Sequence, residues 1–346
     1  MNNPFLAALA AAFLFGAATP FSKILLSVLP PLQLSGLLYL GAAGGSFFLL
    51  MARRETFGLG AGLDKKNALR FGVAVLCGGV CGPLFLLKGL QLAAAGSVSL
   101  WLVLELVLTA LLGHLFFKDH LGLRGWVGAV GCLVCSVLLS LGEGASGFQA
   151  GAWVALACLA WGIDNHMNAL IDGLKPLQST LWKGLIAGSV SFVVGLLQSP
   201  QLPSVGYAAL GLTLGIFSYG ASIALYIGAA QSLGATRSQI IFASAPFFGL
   251  FLSFLVFHVW PTWIQGLSAI MFAGSVALIF RDNHSHLHEH SAMEHIHAHR
   301  HDDGHHTHAH EGLSPAHFHS HRHIHEPLAH AHRHWPDLHH RHSHHG

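Results

Sequence analysis

The chain has 346 residues, of which 53% are hydrophobic and 9% charged, with 17 basic and 15 acidic side chains, 29 histidines and a formal charge of +2. Soluble domains carry roughly a quarter charged residues, so this balance excludes an ordinary soluble protein. The histidines are segregated, 25 of them lying in residues 282–346, while residues 1–281 hold only 13 Lys+Arg and 7 Asp+Glu.

Apolar runs between Pro, Gly and charge punctuation predict an all-α integral membrane protein, because about 20 apolar residues cross a bilayer. Five helices are expected near 5–28, 33–52, 70–91, 95–117 and 123–141, and five more near 151–171, 178–198, 205–229, 235–258 and 261–280. The first has no positive n-region and is longer than a signal-peptide core, so it is expected to remain as the first crossing. No Asp, Glu, Lys or Arg occurs from Gly184 to Thr236 or from Ser238 to Phe280. Cys77, Cys81, Cys132, Cys135 and Cys158 all lie in apolar runs, without disulfide-framework spacing, and Cys132 and Cys135 read as small packing residues. Lys and Arg gather after helices 2, 4, 6 and 8 and are missing after helices 3, 5, 7 and 9. By the positive-inside rule both termini are expected in the cytoplasm, in a plasma (inner) membrane.

The membrane region repeats itself. Pro31-Leu32-Gln33 recurs as Pro176-Leu177-Gln178, and Phe15-Gly16 as Trp161-Gly162. Gly41/Gly45 recur as Gly184/Gly188 at an offset of 143, and Gly78/Gly82 as Gly211/Gly215 at an offset of 133. Single small-xxx-small pairs usually mark close helix packing; their joint recurrence indicates a first repeat over 1–145 and a second over 146–281. An odd number of crossings per repeat makes the second copy enter the membrane upside down, a construction that secondary transporters use.

The segment Leu14-Phe15-Gly16-Ala17-Ala18-Thr19-Pro20-Phe21-Ser22-Lys23, the Trp161-Gly162-Ile163-Asp164-Asn165 opening of the second half, and Leu104-Glu105-Leu106-Val107-Leu108-Thr109 resemble EamA-type members of the drug/metabolite transporter superfamily. The resemblance covers about residues 5–281 and implies ten helices in two inverted five-helix repeats that move amino acids, other metabolites or drugs. Glu105-Leu106-Val107 stands where the family usually has Glu-Pro-Val, and Ser244-Ala245-Pro246-Phe247 keeps a proline without a carboxylate.

Ionisable residues inside the hydrocarbon are costly, so each is a functional candidate: Lys23, Lys88, Glu105, His114, Asp164, His166 and Lys183. Trp101, Glu105 and Thr109 fall at i, i+4 and i+8, and Trp161, Asp164, Asn165, Asn168 and Asp172 form a stripe at helical spacing. The expected solute-binding set is Lys88, Trp101, Glu105, Thr109, Trp161, Asp164, Asn165, Asn168 and Lys183. Glu105 with Lys88, and Asp164 with Lys183, equally fit neutralising ion pairs. Lys23 is expected to snorkel outward, and His114 and His258 to pack at the interfaces.

Residues 282–346 have too little apolar surface to offset chain entropy and read as disordered until something binds. Histidine ligates zinc, nickel, cobalt and copper through a neutral ring nitrogen. His284, His286, His288 and His290, His295, His297, His299 and His301, and His317, His319, His321, His323 and His325 place such ligands within reach of one another. A pH sensor and a solubilising appendage are the competing readings of the tail.

No His-Glu-x-x-His, Gly-x-Ser-x-Gly or phosphate-binding Gly-rich Lys motif is present, so the chain is not expected to be an enzyme, and transport itself should need no cofactor. Its expected partners are membrane lipid, a small-molecule substrate and transition-metal ions, not nucleic acid, because acids outnumber arginines in the tail. The functional expectation is a secondary permease or exporter of a small metabolite with a cytosolic metal-binding tail as regulator. The alternatives are a divalent Ni, Co or Zn exporter whose tail captures the ion, and a metal sensor or store without transport.

Overall fold

The computed structural model describes residues 3–58, 64–117, 122–171, 175–233, 238 and 241–281, and four tail segments at 284–290, 293–299, 319–325 and 328–334. The membrane region is helical: α1 (Pro4–Leu25), α2 (Pro31–Ala52), α3 (Lys65–Leu92), α4 (Ala95–Phe116), α5 (Leu123–Gly142), α6 (Gly144–Asn168), α7 (Pro176–Gln198), α8 (Val205–Ala229), α9 (Ala245–Phe257) and α10 (Trp263–Phe280). Among the described residues, all but α9 are long and apolar enough to cross a membrane. The 13 residues of α9 rise only about 20 Å; residues 234–237 and 239–240, where the ninth crossing is expected to begin, lie outside the described residues.

Proline opens α1, α2 and α7, at a position where a helix needs no N–H. Asp64 caps α3 by accepting from the Asn67 N–H at 2.7 Å, which starts that helix earlier than the expected residue 70. Thr262 and Gln265 form a reciprocal capping box at α10.

Helix contacts recur in pairs. α2 packs on α7, α4 on α9 and α5 on α10, each helix facing its own counterpart. The contact of α1 with α8 repeats as α6 with α3, that of α1 with α9 as α6 with α4, and that of α2 with α8 as α7 with α3. Lipid supplies no hydrophobic drive between helices, so close backbone approach carries the packing. A Cβ on Gly41 would fall 2.2 Å from the Leu212 carbonyl oxygen, and one on Gly184 would fall 2.6 Å from that of Tyr39. The recurring Pro-Leu-Gln has a tertiary reason. Buried Gln33 donates to the Ser199 and Gln201 carbonyls in the loop after α7, and Gln178 donates to the Thr56 carbonyl and hydroxyl in the loop after α2. Each repeat thereby ties down a loop of the other.

Two helices change register internally, α3 at Val75–Cys81 and α8 at Ile216–Ala221, where the backbone adopts π-helical turns. These segments begin 141 residues apart, and they correct the expected pairing of Gly78/Gly82 with Gly211/Gly215. A Cβ on Gly79 would meet Ala187, as one on Gly220 would meet Ala42; Gly79 and Gly220 are therefore counterparts. Gly211 and Gly215 lie about two turns away, against Leu37 and Leu38. Glycine spacing alone could not distinguish registers that differ by two turns.

The tail backbone holds four strands, β1 (His284–His290), β2 (Met293–His299), β3 (His319–His325) and β4 (Leu328–His334). β1 pairs with β4 and β2 with β3, both antiparallel. The composition predicts no regular structure here, but the His-x-His alternation has the period of a strand. The registers set His284 opposite His334, His286 opposite His332, and His297 opposite His321.

Candidate functional site

The π turn of α3 organises the centre of the molecule. In this register the Gly82 N–H bonds to the Cys77 carbonyl, so the next donor, to the Gly78 carbonyl, would be residue 83. That residue is proline and has no N–H. The orphaned Gly78 oxygen instead accepts from the Tyr39 hydroxyl at 2.5 Å and from Trp161 Nε1 at 3.1 Å, joining α2 and α6 to α3. Single π turns of this kind are frequent at functional sites.

Beside it lies the buried ion pair. Lys183 Nζ on α7 donates to both oxygens of Asp164 on α6, at 2.5 and 2.7 Å, and Asp164 is 8% exposed. Asn168, one turn on, donates to Asp164 Oδ1 at 2.7 Å and accepts from the Ser179 hydroxyl at 3.1 Å. Asp164 lies against Gly78, with no space for a side chain there: an added Cβ would be 2.1 Å from Asp164 Oδ2. By the repeat offsets Gly78 corresponds to Tyr219 and Asp164 to Ala18. In one half a carboxylate faces a glycine, and in the other a tyrosine stands where the glycine was and an alanine where the carboxylate was.

A cavity of about 180 Å³ opens onto this pair, lined by Phe15, Tyr39, Ala42, Glu105, Trp161, Asp164, Asn165, Thr180, Lys183, Tyr219 and Ile223. A second space of about 120 Å³ shares Phe15, Glu105 and Asn165 with it and is otherwise walled by Leu102, Val103, Leu106, Thr109, Phe242, Ala243, Ala245, Pro246 and Val276. Glu105 stands between the two lobes and accepts from Asn165 Nδ2 at 3.2 Å. The Thr109 hydroxyl is buried without a hydrogen-bond partner, and His166 Nε2 lies 3.0 Å from the Thr109 carbonyl.

Of the nine residues expected to bind solute, Glu105, Trp161, Asp164, Asn165 and Lys183 line the first lobe, Thr109 lines the second, and Asn168 stands behind Asp164. Two lie elsewhere. Trp101 is fully buried and donates to the Ser136 carbonyl on α5. Bonds from Leu102 N–H to Ser99, Val103 to Leu100, Glu105 to Leu102 and Leu106 to Val103 tighten α4 just there, and these i to i−3 turns rotate Trp101 off the Glu105 face. Lys88 places its ammonium 4.7 Å from the centre of the Trp153 ring; it makes no ion pair with Glu105. Lys23, expected to snorkel, instead donates to the Leu90 and Ala93 carbonyls at 2.5 and 3.1 Å, closing the C-terminal end of α3. His114 packs edge-on against Trp126. Asp172, His301 and His317 lie outside the described residues; the other candidate tail ligands fall on the strands, and only their backbone is described. Among the described side chains no three His, Cys, Asp or Glu gather as a metal site would require.

The sequence reading missed Phe15, Tyr39, Thr180 and Tyr219. Phe15 was visible as the counterpart of Trp161. The tyrosines are the polar-tipped aromatics of α2 and α8, and only the structure brings them together, with ring centroids 5.8 Å apart.

A helical membrane fold built twice over among the described residues, with a polar cavity where the two copies meet, defines a transporter-type integral membrane protein. Residues 3–141 and 149–281 each match the EamA-like transporter family, and the chain belongs to it. It is 24% identical over 297 residues to an uncharacterized transporter of Methanothermobacter thermautotrophicus (strain Delta H), a match covering 80% of this chain and 85% of that protein. A protein of known crystal structure shares the fold at a TM-score of 0.56 and 18% identity, over 80% of this chain and 96% of its own.

Proposed function

We propose that this EamA-family transporter carries a small polar organic solute by alternating access, and that the solute sits between Glu105 and the Asp164–Lys183 pair. The observation that carries the reading is the composition of the cavity wall. It takes charged and amide groups from α4, α6 and α7 and aromatic faces from α1, α2, α6 and α8, so that elements of both repeats are needed to close it. Exchange of the two repeats' conformations would open such a cavity to either side in turn. The lining suits an organic solute better than a divalent ion, which asks for several converging oxygen or imidazole ligands.

The test is uptake or efflux by Glu105→Gln and Asp164→Asn variants at unchanged expression. Loss in either supports the site, and wild-type transport in both would end the reading.

The positive-inside pattern supports cytoplasmic termini in the plasma (inner) membrane. In that orientation the tail would meet cytosolic zinc, nickel or cobalt, and the registers that set histidine opposite histidine support reversible binding of such ions as a regulatory input. Calorimetric titration of the full chain with zinc and nickel, against a chain ending at Arg281, checks this; equal heats from both refute it.

A further inference from the structure

The cavity is unequally charged. Among the described residues, two carboxylates and one ammonium line it, Glu105, Asp164 and Lys183. Lys183 is occupied by Asp164 through two bonds at 2.5 and 2.7 Å, and Asn168 donates to the same carboxylate. What remains is Glu105, whose hydrogen-bond partner is the neutral amide of Asn165 and whose expected cation, Lys88, lies over Trp153 instead. A carboxylate without a counter-ion at membrane depth is costly, and a cationic ligand relieves that cost. The surrounding surface is aromatic. The rings of Phe15 and Tyr219 stand with centroids 5.9 Å apart and those of Tyr39 and Tyr219 5.8 Å apart, with Trp161 on the same wall. Aromatic faces around an acid are a recognition pattern for ammonium groups.

We propose, building on the reading of this cavity as the solute site, that the solute is an organic amine without a carboxylate. Its ammonium head rests on Glu105 and its apolar or aromatic body lies against the rings or reaches into the largely apolar second lobe. A zwitterion would need a second cation for its carboxylate, and the one ammonium that lines the cavity among the described residues is already clamped. An organic anion would meet two carboxylates.

The experiment uses the full chain in detergent and three probes that share one phenyl group: 2-phenylethylamine, L-phenylalanine and 3-phenylpropanoate, followed by calorimetry. The amine should bind at least about tenfold more tightly than either of the others, a difference of ~1.4 kcal/mol. Glu105→Gln should remove most of that preference, and Glu105→Asp should restore part of it. Tighter binding of phenylalanine or phenylpropanoate overturns the proposal, as does failure of all three to bind folded protein. The two levels separate cleanly. If phenylalanine binds best and Lys183→Met weakens it, the cavity stands as the solute site and only the amine class fails. If the amine binds equally to wild type and to both Glu105→Gln and Asp164→Asn, the cavity reading fails with it.

Discussion

Replacing Gly78 by alanine tests the centre of the site with a single methyl group. The added Cβ would lie 2.1 Å from Asp164 Oδ2 and 2.2 Å from its Cγ, whereas carbon contacts settle at roughly 3.5–4.0 Å, so something must move by more than an ångström. Asp164 is not free to withdraw, being held by Lys183 at 2.5 and 2.7 Å and by Asn168 at 2.7 Å. Pulling it off Lys183 would leave a buried charge unpaired at about 3–5 kcal/mol. Displacing α3 costs less, about 1–3 kcal/mol for overpacking, so the helix should shift and take the Tyr39 and Trp161 hydrogen bonds with it. A loss near 2 kcal/mol lowers the melting temperature by roughly 3 °C in a chain of this size. The matched control is Gly72→Ala on the same helix, where an added Cβ meets nothing within 4 Å and helix propensity favours alanine by up to ~1 kcal/mol. Thermal unfolding in detergent and solute uptake at matched expression are to be read on both. Gly78→Ala melting within about 2 °C of Gly72→Ala, with wild-type uptake, would refute the claim that a bare backbone at residue 78 is what seats Asp164.

Pro83→Ala supplies the missing N–H, which competes with Tyr39 and Trp161 for the Gly78 carbonyl. Hydrogen exchange should show a newly protected amide at residue 83 and uptake should fall, whereas normal uptake contradicts the role given to the π turn. Gln33→Ala removes the buried side-chain donor that ties down the loop after α7, leaving the Gln201 carbonyl without it while the Ser199 carbonyl keeps the Gln201 N–H. It should cost about 1–3 kcal/mol of stability, and Gln178→Ala should lose a comparable amount; no change in melting for either would undo their pairing as counterparts. Lys88→Met keeps the stem but loses the contact with Trp153. Stability should drop by about 0.5–2 kcal/mol with uptake unchanged, and a folded variant that cannot transport would return Lys88 to the site.

The frame was legible in the sequence because its signals are local or periodic. Apolar runs locate the crossings, Pro31-Leu32-Gln33 and Pro176-Leu177-Gln178 mark the repeat, and Asp164 and Lys183 stand out as charges that need each other. The errors came where backbone geometry departs from a regular helix. Trp101 and Glu105 are one turn apart on a helical wheel, yet the tightened turns at Leu102 and Val103 separate their faces. Spacing aligns Gly78/Gly82 of α3 with Gly211/Gly215 of α8, but the π turns, which no spacing rule reveals, set the true register. Charge alone pairs Lys88 with Glu105, but an ammonium is also satisfied by an aromatic ring, and Lys88 lies over Trp153. The aromatic wall from Tyr39 and Tyr219 depends on two distant helices meeting, which a single sequence does not display.

The repeat also explains why the two halves contribute different groups to the site. Duplication gives each helix a counterpart and each contact a twin, so an undifferentiated pair of repeats would offer the same groups twice. Here the counterparts have diverged in size and charge at corresponding positions: Gly78 against Tyr219, Ala18 against Asp164, and Pro246 in α9 near the place where α4 has Glu105. The glycine makes room for the carboxylate, and the tyrosine at the corresponding place packs against Phe15 and Tyr39. The backbone breaks persist in both halves, at Leu102 and Val103 in α4 and at Ala243 and Ser244 ahead of α9, so the capacity to flex is shared while the chemistry is not. Glu105 comes from one repeat, Asp164, Asn165 and Lys183 from the other, and the rings from both. Neither half contains a complete cavity, so a rearrangement of one repeat against the other would move Glu105 relative to the ion pair.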